Sequence, residues 1–591
     1  MPRQTCRDGS CRDGPLHIIF INIAQVIVFT IVEIRDGKMP RQFSVDLLIL
    51  SELFSNRFKF DLPWYQRAYA WNTDHAKCLL ADVGDAVANE KWYHLGLIIL
   101  ARPEDGPCTS IVDGQQRIVT LTILFAVLRD LTDDKDLHDL LNERIWLAHE
   151  ARKPRLEPQD TIADCLLKYV QMDAVTGIMP SDEEISNLNC NEQNVIDNRN
   201  ALREVLAECD QKELDRISRF LVNNCHLVVQ ELDNEDLAVR IYIKAHQSGL
   251  DLSPADILKA NVVGYVSEHD RGNYSWVWSH AESRLGGAAF SELLGHLRDI
   301  KLRAKPRMPV EVDLIDHYRI KSDPRHFMDK VLAPAAELAI AIRDWSVGAG
   351  RSAEANEAHA AINRRLQYLS WVQHPSWKAP ALHWLMVHGA DHKDTPEFLA
   401  RLEAFAFIHM LASTDTYVRR NEYYAVLAGI ENETVLDDDG PLRVTKANIK
   451  KARARLMEHN FGKGGHNNKT WIMLRANAAV EGDREVIPAP FASIEHVLPR
   501  NAKQGSRWKL LFPDKASVAA YVQRLGNLAP LTGLENVEAD NNDFDIKCKV
   551  FAGSKFALAR TLPEHKEWTR KTIEKRTIWM IDLLFKAWRL K

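Results

Sequence analysis

The spacing of apolar positions predicts alternating helices and strands in the first part of the chain. After the aromatic-rich FDLPWYQRAYAW at 60–71, a helix is expected at 73–89, and residues 94–101 (HLGLIILA) form an apolar run that ends in the turn-rich RPEDGP. We therefore predict a helix followed by a buried strand. A second short strand is predicted at 109–112. A helix follows it directly, because one helical face collects Ile118, Leu121, Thr122, Phe125 and Leu128.

The middle of the chain has the pattern of helices. Residues 130–235 are rich in Leu, Asp, Glu and Asn, which predicts helices joined by polar loops, with a loop and a capped helix start at 178–198. From about 266 to 440 the helical pattern returns, interrupted at 301–309 and at 346–358. We therefore expect a helix-rich α+β fold.

An apolar-rich segment near the start, residues 15–34, leaves three interpretations open. His17, Asn22 and Gln25 would be costly in a bilayer centre, and the segment is richer in Ile and Val than a typical helix. Met-Pro-Arg-Gln occurs at Met1 and again at Met39, so residues 1–38 are interpreted as an upstream extension with the natural start at Met39. A membrane anchor and an added strand or tail are the alternatives. We expect a soluble, cytoplasmic protein without stable membrane association.

Composition excludes several classes of protein. The 591 residues are 46% hydrophobic and 27% charged, which is typical of globular chains and not of disordered ones. The nine Cys form no CxxC pair, which argues against a disulfide scaffold or a Cys-ligated zinc site. Residues 441–591 hold 28 Lys and Arg against 15 Asp and Glu, a net charge of +13, whereas residues 1–440 carry −18. A basic end of this kind favours nucleic acid, although an ordinary solvated surface is the alternative.

A candidate anion site lies where the strand at 109–112 meets the next helix. The turn reads Asp113-Gly114-Gln115-Gln116-Arg117. The first turn of a helix offers free N–H groups, and an Arg offers a planar fork for phosphate. Asp113 could orient Arg117 or hold a metal ion. The structural alternative is a tight turn in which the two side chains pair. A Walker A loop is excluded, because the Gly-rich run 462–470 has Asn468 where a Gly should precede Lys469.

Three separated motifs in this region resemble one family. PWYQRAYAW, LGLIIL and IVDGQQRIVTLTIL are similar to the N-terminal module of the GmrSD-type modification-dependent restriction endonucleases, which has a ParB/sulfiredoxin-like core. The resemblance implies that a nucleoside triphosphate is bound and hydrolysed at the DGQQR loop. The implied nucleotide-site residues are Gln66, Arg67, Asp113, Gly114, Gln115, Gln116 and Arg117.

A further block of the same family is partly altered. The run Leu250 to Lys259 (LDLSPADILK) is kept, and Ser253-Pro254 predicts a helix N-cap followed by Pro at the first helical position. Where the family usually has Asn-x-Arg-Gly, this chain has HQSG at 246–249. Nucleotide binding without efficient hydrolysis is therefore a second interpretation.

The basic end contains a sparse set of polar residues typical of a ββα-metal nuclease. Residues 493–500 read SIEHVLPR, Asn527 follows His496 by thirty-one residues within GNLAPL, and Asn536 lies nine further on. Hydrolysis of a phosphodiester needs a water activated near neutral pH, which suits imidazole, and a divalent cation to offset phosphate charge. Carboxylate and amide oxygens are suitable ligands for such a cation.

These residues resemble the HNH (His-Me finger) nucleases, in the variant that forms the C-terminal module of GmrSD-like proteins. The resemblance implies that His496 is the general base, Asn536 a metal ligand and Glu495 a second ligand. It also implies that Asn527 positions the histidine loop and that Lys547 and Lys549 contact DNA phosphate.

The order of the two resemblances predicts the organisation of the chain. We expect an extension (1–38), a nucleotide-binding module (39–265), a helical middle (266–445) and an HNH-like nuclease domain (446–591). The implied function is a nucleotide-regulated DNA endonuclease of the restriction or phage-defence type. It would use Mg²⁺ or Mn²⁺ and a nucleoside triphosphate, and it would act on modified phage DNA. A homo-oligomer is one of its expected partner states. The alternative is a nucleotide-gated DNA-binding or regulatory protein with an inactive site.

Overall fold

The computed structural model describes residues 43–590 except 64, 90, 103–107, 149–152, 159–161, 233–252, 349–352, 459–465 and 484–491. The predictions for residues 15–34 and for the HQSG block at 246–249 lie outside the described residues. The chain divides into two compact units. The first comprises Met1–Leu294 and Met308–Ala336, and the second comprises Gly295–Arg307 and Glu337–Lys591.

The first unit is built on a mixed six-stranded sheet with the order β1-β6-β3-β4-β2-β5. β1 pairs antiparallel with β6, and β3 pairs antiparallel with β4, while β6–β3, β4–β2 and β2–β5 are parallel. The strands are β1 (Phe43–Ile49), β2 (Phe60–Leu62), β3 (Tyr93–Ala101), β4 (Thr109–Asp113), β5 (Leu156–Pro158) and β6 (Cys225–Leu232).

Helices surround this sheet and supply most of the first unit. They are α1 (Leu50–Leu53), α2 (Thr73–Ala88), α3 (Gln115–Leu131), α4 (Lys135–Ile145), α5 (Ala163–Leu166) with a π-helical turn at Leu167–Gln171, α6 (Asp182–Asn187), α7 (Cys190–Leu206), α8 (Gln211–Asn224), α9 (Pro254–Gly264), α10 (Glu268–Leu285), α11 (Gly287–Leu302), α12 (Val310–His317), α13 (Pro324–His326) with a π-helical turn at Phe327–Leu332, and α14 (Ala333–Arg343). The boundary between the units falls within α11 and within α14.

Helix α3 is the centre of the first unit's core. The predicted face is buried, but so is almost every other side chain of the helix, including Val119, Ile123 and Leu124. It packs against α4 and α7. A helix that is apolar on all sides is stable only when it is covered on all sides, so the DGQQR turn at its start is held on a rigid support.

The predicted helix at 73–89 and the strands at 94–101 and 109–112 are confirmed as α2, β3 and β4. The prediction of helices and loops alone for 130–235 was wrong, because β5 and β6 lie there, and β6 sits between β1 and β3 in the sheet. The capped helix start predicted within 178–198 is confirmed, because Ser181 caps α6 and Asn189 caps α7.

The second unit is helical apart from a short antiparallel pair of strands, β7 (Ser493–His496) and β8 (Leu528–Leu531), in the residues that the structure describes. Within those residues, no helix combines the length and apolar character needed to cross a membrane. The helices are α15 (Ala353–Ser370), α16 (Lys378–Val387), α17 (Thr395–Leu411), α18 (Thr416–Glu431), α19 (Lys446–Glu458), α20 (His466–Val480), α21 (Arg507–Leu511), α22 (Lys515–Tyr521), α23 (Gly533–Ala539), α24 (Phe544–Gly553), α25 (Ala557–Arg560) and α26 (Arg570–Ala587).

Candidate functional site

In the second unit, β7 and β8 bring the distant nuclease motifs side by side. The strands are antiparallel, and His496, the last residue of β7, lies opposite Leu528. Helix α23 follows β8 at once, because Thr532 caps it by accepting a hydrogen bond from the Glu535 N–H. This helix carries Asn536, whose Nδ2 donates to Ser493 Oγ at 2.6 Å. Two strands and a helix therefore place Asn536 against the strand that ends at His496.

Asn527 is completely buried and holds the loop that follows His496. Its Oδ1 accepts from the Leu498 N–H at 2.8 Å, and its Nδ2 donates to the carbonyl oxygens of Leu498 at 3.1 Å and Val522 at 2.9 Å. The indole N–H of Trp568 donates to the same Oδ1 at 2.9 Å. The side chain has no remaining hydrogen-bonding capacity for a ligand, so it acts on the site through the backbone.

The glycine before Asn527 is required by close packing. A Cβ on Gly526 would lie 2.2 Å from the carbonyl oxygen of Ile573 and 2.6 Å from the nitrogen of Thr577, both in the backbone of α26. From the same helix, Arg576 donates through Nη1 to the carbonyl oxygens of Gly526 and Leu528, at 2.8 Å each. Helix α26 thus packs directly against the GNL turn and hydrogen-bonds to its backbone.

The His496 ring lies in a basic and largely enclosed environment. Its Nε2 is 3.3 Å from Gln523 Oε1, which also accepts a hydrogen bond from Lys469 Nζ at 2.8 Å. Burial lowers the pKa of His496 to about 4, and the positive charges of Arg500, Lys469 and Lys547 act in the same direction. The imidazole is therefore neutral at pH 7, as a general base must be.

Glu495 and Lys547 form an ion pair beside the histidine. Lys547 is fully buried, and its Nζ contacts Glu495 Oε1 and donates to the carbonyl oxygen of His496 at 3.1 Å. Burial raises the pKa of Glu495 and lowers that of Lys547, while the opposite charge of each partner works against that shift. Lys549, two residues further on, is exposed. Of the two lysines, only Lys549 is open to a large ligand such as DNA.

Asn536 and Glu495 are the side chains at β7 that offer oxygen to a cation. The described residues contain no cluster of three or more His, Cys, Asp or Glu side chains suited to a metal. Because Asn536 Nδ2 is tied to Ser493, its Oδ1 is directed away from that bond and is available. One amide oxygen and one carboxylate suit Mg²⁺, which keeps several waters, better than they suit Zn²⁺.

In the first unit, the DGQQR turn joins β4 to α3 in the predicted way. Gly114 has a φ of +99°, and a Cβ there would lie 2.4 Å from Ile98 Cγ2, so both backbone conformation and packing demand glycine. Arg117 donates through Nη1 to the carbonyl oxygen of Leu97 at 2.9 Å. Burial lowers the pKa of Arg117, and the Asp113 carboxylate opposes that effect. Asp113 thus lies close enough to influence the guanidinium.

Gln66 and Gln116 fasten the 66–71 segment to this turn. Gln66 Nε2 donates to the carbonyl oxygens of Ile111, at 3.1 Å, and Val112. In return, Gln116 Oε1 accepts from the backbone N–H groups of residues 70 and 71 at 2.7 and 3.0 Å, and its Nε2 donates to the carbonyl oxygen of residue 68 at 3.2 Å. The two separated sequence motifs are therefore one structural element.

Two other side chains of the predicted nucleotide site keep unused polar groups. Gln115 is 3% exposed, and neither atom of its amide has a hydrogen-bond partner among the residues that the structure describes. Arg67 is partly buried and makes no hydrogen bond or ion pair with the part of the chain that the structure describes. Buried amides are normally satisfied, so the Gln115 amide has hydrogen-bonding capacity that could serve a ligand.

Helix α9 brings the second sequence block to the same place. Ser253 caps it and Pro254 occupies its first position, as predicted. Lys259 is 2% exposed, and its Nζ donates to the carbonyl oxygen of Gln66 and to Ser279 Oγ, the latter at 3.0 Å. On α10, burial raises the pKa of Glu282 to about 7, Asp256 adds to the effect, and Lys259 and Arg67 oppose it. Two basic and two acidic groups therefore meet beside Gln66.

Comparison with known protein families matches both ends of the chain. Residues 50–263 match the family described as "GmrSD restriction endonuclease, N-terminal domain", and residues 446–583 match "GmrSD restriction endonucleases, C-terminal domain". The two matches cover more than half of the 591 residues. The chain belongs to the GmrSD family of restriction endonucleases. No curated protein matches the sequence.

Membership of the GmrSD family makes the chain a restriction-type nuclease with DNA as its substrate. The GmrSD N-terminal match contains the DGQQR turn and Lys259 but ends before Glu282. The C-terminal match contains the whole β7–β8–α23 arrangement, together with Lys469 and Gln523.

The sequence alone did not indicate several side chains of the nuclease site and of the DGQQR site. In the sequence, Lys469 stands only in a Gly-rich run that does not match a Walker A loop, and Gln523 and Arg576 stand in no recognisable spacing. Lys259 ends the kept run of the second block, which was the one available signal for it. The other contacts depend on tertiary packing.

Proposed function

We propose that the chain is a metal-dependent endonuclease of the HNH type, in which His496 activates the attacking water. The observation that carries this proposal is the pair of hydrogen bonds between the Asn527 side chain and the backbone of Leu498, two residues after the histidine. A buried Asn with all its groups engaged there fits a positioning role. The order of β7, β8 and α23, with Asn536 on the helix, supports the ββα type of site.

The charge state of His496 suits this role. A base must be unprotonated before the reaction and must take one proton from water as the new P–O bond forms. Because burial and three nearby cations hold the pKa of His496 near 4, the free imidazole dominates at neutral pH. A bound phosphodiester brings negative charge, which raises the affinity of the imidazole for that proton.

A divalent cation fits the oxygen donors at β7. We propose Asn536 Oδ1 as its ligand and Glu495 as the second, with Lys547 as the present counter-charge of Glu495. When bound, Mg²⁺ or Mn²⁺ supplies charge stabilisation of the phosphate and the leaving oxygen. Lys549, which is exposed, is proposed to contact the DNA phosphate directly. Lys547 is buried, and its charge is proposed to act on the bound phosphate without direct contact.

In the first unit we propose a nucleoside triphosphate site of the ParB/sulfiredoxin-like kind at the DGQQR turn. Arg67, Gln115 and Arg117 are its proposed ligand contacts, because the first two have unused polar groups and the third lies at the start of α3. Gln66, Gln116 and Gly114 are proposed to hold the turn in shape, with Asp113 beside Arg117. Nucleotide binding is proposed to permit or restrain cutting of modified foreign DNA.

A plasmid cleavage assay tests the proposal. Purified protein with Mg²⁺ or Mn²⁺ is given unmodified DNA or modified phage DNA, with and without a triphosphate mixture. We expect cutting that requires the metal and is lost in His496→Ala, while that variant still binds DNA. Cutting by His496→Ala would contradict the assignment of the base. Absence of cutting by the unaltered protein in every lane, with DNA bound, would favour a nucleotide-gated DNA-binding protein instead.

The nucleotide site is tested separately by calorimetry. Arg117→Ala is expected to weaken triphosphate binding at least tenfold, because loss of a charge-assisted contact to phosphate removes about 1.5–3 kcal/mol. Exposed Arg219, in the same unit, provides the matched control as Arg219→Ala. Equal affinity of the two variants for the triphosphate would show that Arg117 is structural.

A further inference from the structure

Three polar side chains form a chain of contacts that ends on the histidine. Lys469 comes from α20, Gln523 from the segment after α22, and His496 from the end of β7. Gln523 Oε1 lies 2.8 Å from Lys469 Nζ and 3.3 Å from His496 Nε2. Lys469 is 3% exposed and Gln523 is 9% exposed, so the contacts are shielded from water.

The lysine decides which amide atom faces the histidine. An ammonium group has donors only, so the Gln523 atom beside it must be the oxygen and not the NH₂. The same oxygen faces His496 Nε2. An amide oxygen only accepts, and therefore Nε2 must carry a hydrogen and donate it.

The tautomer of His496 follows from this contact. A neutral imidazole has one N–H and one lone pair, so a proton on Nε2 leaves the lone pair on Nδ1. Nδ1 makes no hydrogen bond to any residue that the structure describes, and it is not enclosed by them. It is the nitrogen that can receive a proton from water.

We propose that Lys469 and Gln523 are positioning residues that fix His496 in its Nε2-protonated tautomer and make Nδ1 the base. The inference rests on the proposed role of His496. In the reaction, a water O–H bond breaks as its oxygen forms a new bond to phosphorus, the P–O bond to the leaving oxygen breaks, and the water proton moves to Nδ1. The resulting imidazolium keeps its Nε2–H bonded to Gln523 Oε1, and the leaving oxygen takes a proton from solvent.

The charged groups around the ring explain why an amide is used here rather than a carboxylate. The positive charges of Arg500, Lys469 and Lys547 act on His496, and the carboxylate of Glu495 is already paired with Lys547. The neutral amide orients the ring, and although its hydrogen bond acts to raise the pKa of His496, burial and the three positive charges keep that pKa lowered. A carboxylate at position 523 would orient the ring equally well but would stabilise the imidazolium.

This difference provides the test, which is the pH–rate profile of DNA cleavage by Gln523→Glu and Gln523→Leu. Gln523→Glu keeps an acceptor, so we expect cleavage to be retained at high pH, with the acidic limb moved upward by about one unit or more. Gln523→Leu loses the acceptor, so we expect kcat to fall about tenfold or more with KM little changed. Gln504→Leu, at an exposed glutamine, is the control.

Nitrogen NMR of histidine-labelled protein reads the tautomer directly, with the His496 signal identified by its loss in His496→Ala. We expect Nε2–H in the unaltered protein and in Lys469→Arg, and a mixture of tautomers in Gln523→Leu. An unchanged pH profile and rate in both Gln523 variants, or an Nδ1–H signal in the unaltered protein, would overturn the inference. Cleavage by His496→Ala would instead overturn the proposed base itself, so the two failures are distinguishable.

Discussion

The side chain of Asn527 pairs with the backbone of Leu498 as a second peptide group would. Its Oδ1 accepts from the Leu498 N–H at 2.8 Å, and its Nδ2 donates to the Leu498 carbonyl oxygen at 3.1 Å. In addition, the backbone carbonyl oxygen of Asn527 accepts from the Val497 N–H at 3.0 Å. The backbone of the two residues that follow His496 is thus held by both the side chain and the main chain of Asn527.

Asn527→Asp tests the arrangement with the smallest change of shape. The carboxylate would place an oxygen against the carbonyl oxygens of Leu498 and Val522, where Nδ2 now donates. Repulsion and an unpaired buried group lead us to expect a loss of about 3 kcal/mol or more in the free energy of unfolding at pH 7. Urea unfolding measures it. A variant as stable as the unaltered protein would contradict the hydrogen-bond assignment.

Asn536→Ala is expected to affect cleavage more than stability, whereas Asn527→Asp is expected to reduce stability. Asn536 is only partly buried and makes one side-chain hydrogen bond, to Ser493. We therefore expect a stability loss of about 1 kcal/mol and a loss of cleavage of at least tenfold, since the proposed metal ligand is removed. Urea unfolding and plasmid cleavage over a Mg²⁺ series measure both. Full cleavage at low Mg²⁺ would remove Asn536 from the metal site.

The nuclease motifs were predictable because each lies in a short local pattern, but their surroundings were not. His496, Asn527 and Asn536 stand at recognisable spacing, and Gly526 precedes Asn527. Glycine is required at 526 because a Cβ there would lie 2.2 Å from the carbonyl oxygen of Ile573 in α26. The two residues are almost fifty positions apart in the sequence. No local pattern can show such a contact.

The missed strand β6 has a comparable explanation. Helix α8 ends at Asn224 and β6 begins at Cys225, so no Gly or Pro marks the change from helical to strand spacing. The strand becomes clear only through its partners, β1 on one side and β3 on the other. Strands β3 and β4 and the DGQQR turn were predicted from local patterns, whereas β6, which lies between β1 and β3, was not.

Lys547→Met separates the two roles of Glu495. Removing one partner of a buried ion pair leaves the Glu495 carboxylate uncompensated, so we expect a loss of about 3–5 kcal/mol in unfolding free energy without metal. If Glu495 is a metal ligand, Mg²⁺ replaces the missing charge, and the rise of Tm on adding Mg²⁺ should exceed that of the unaltered protein. Differential scanning calorimetry measures this rise. An equal Mg²⁺ effect in both proteins would exclude Glu495 as a ligand.

The pKa of His496 predicts a flat pH profile near neutrality. Because the folded-state pKa is lowered to about 4 from the usual 6.5, the base form is fully populated above pH 5. We expect kcat/KM at saturating Mg²⁺ to change by less than about twofold between pH 5.5 and 8. The unfolded state binds the extra proton, so the contribution of His496 to stability falls as the pH drops from about 6.5 to 4. A rate that rises tenfold through pH 6.5 would contradict a depressed pKa.

The two kinds of residue at the DGQQR turn should be separable by mutation. Gln116→Ala leaves the backbone N–H groups of residues 70 and 71 without their acceptor, so we expect a stability loss of about 2 kcal/mol or more. Arg67→Ala removes a side chain that makes no hydrogen bond or ion pair within the described residues and acts there only through its charge on Glu282. Stability should therefore change by less than about 0.5 kcal/mol while triphosphate affinity falls at least tenfold. Urea unfolding and calorimetric titration with a triphosphate measure the two effects. If Arg67→Ala binds the triphosphate normally and Gln116→Ala unfolds normally, the division between ligand contacts and structural contacts is wrong, and Gln115, with its buried unsatisfied amide, becomes the side chain to change next.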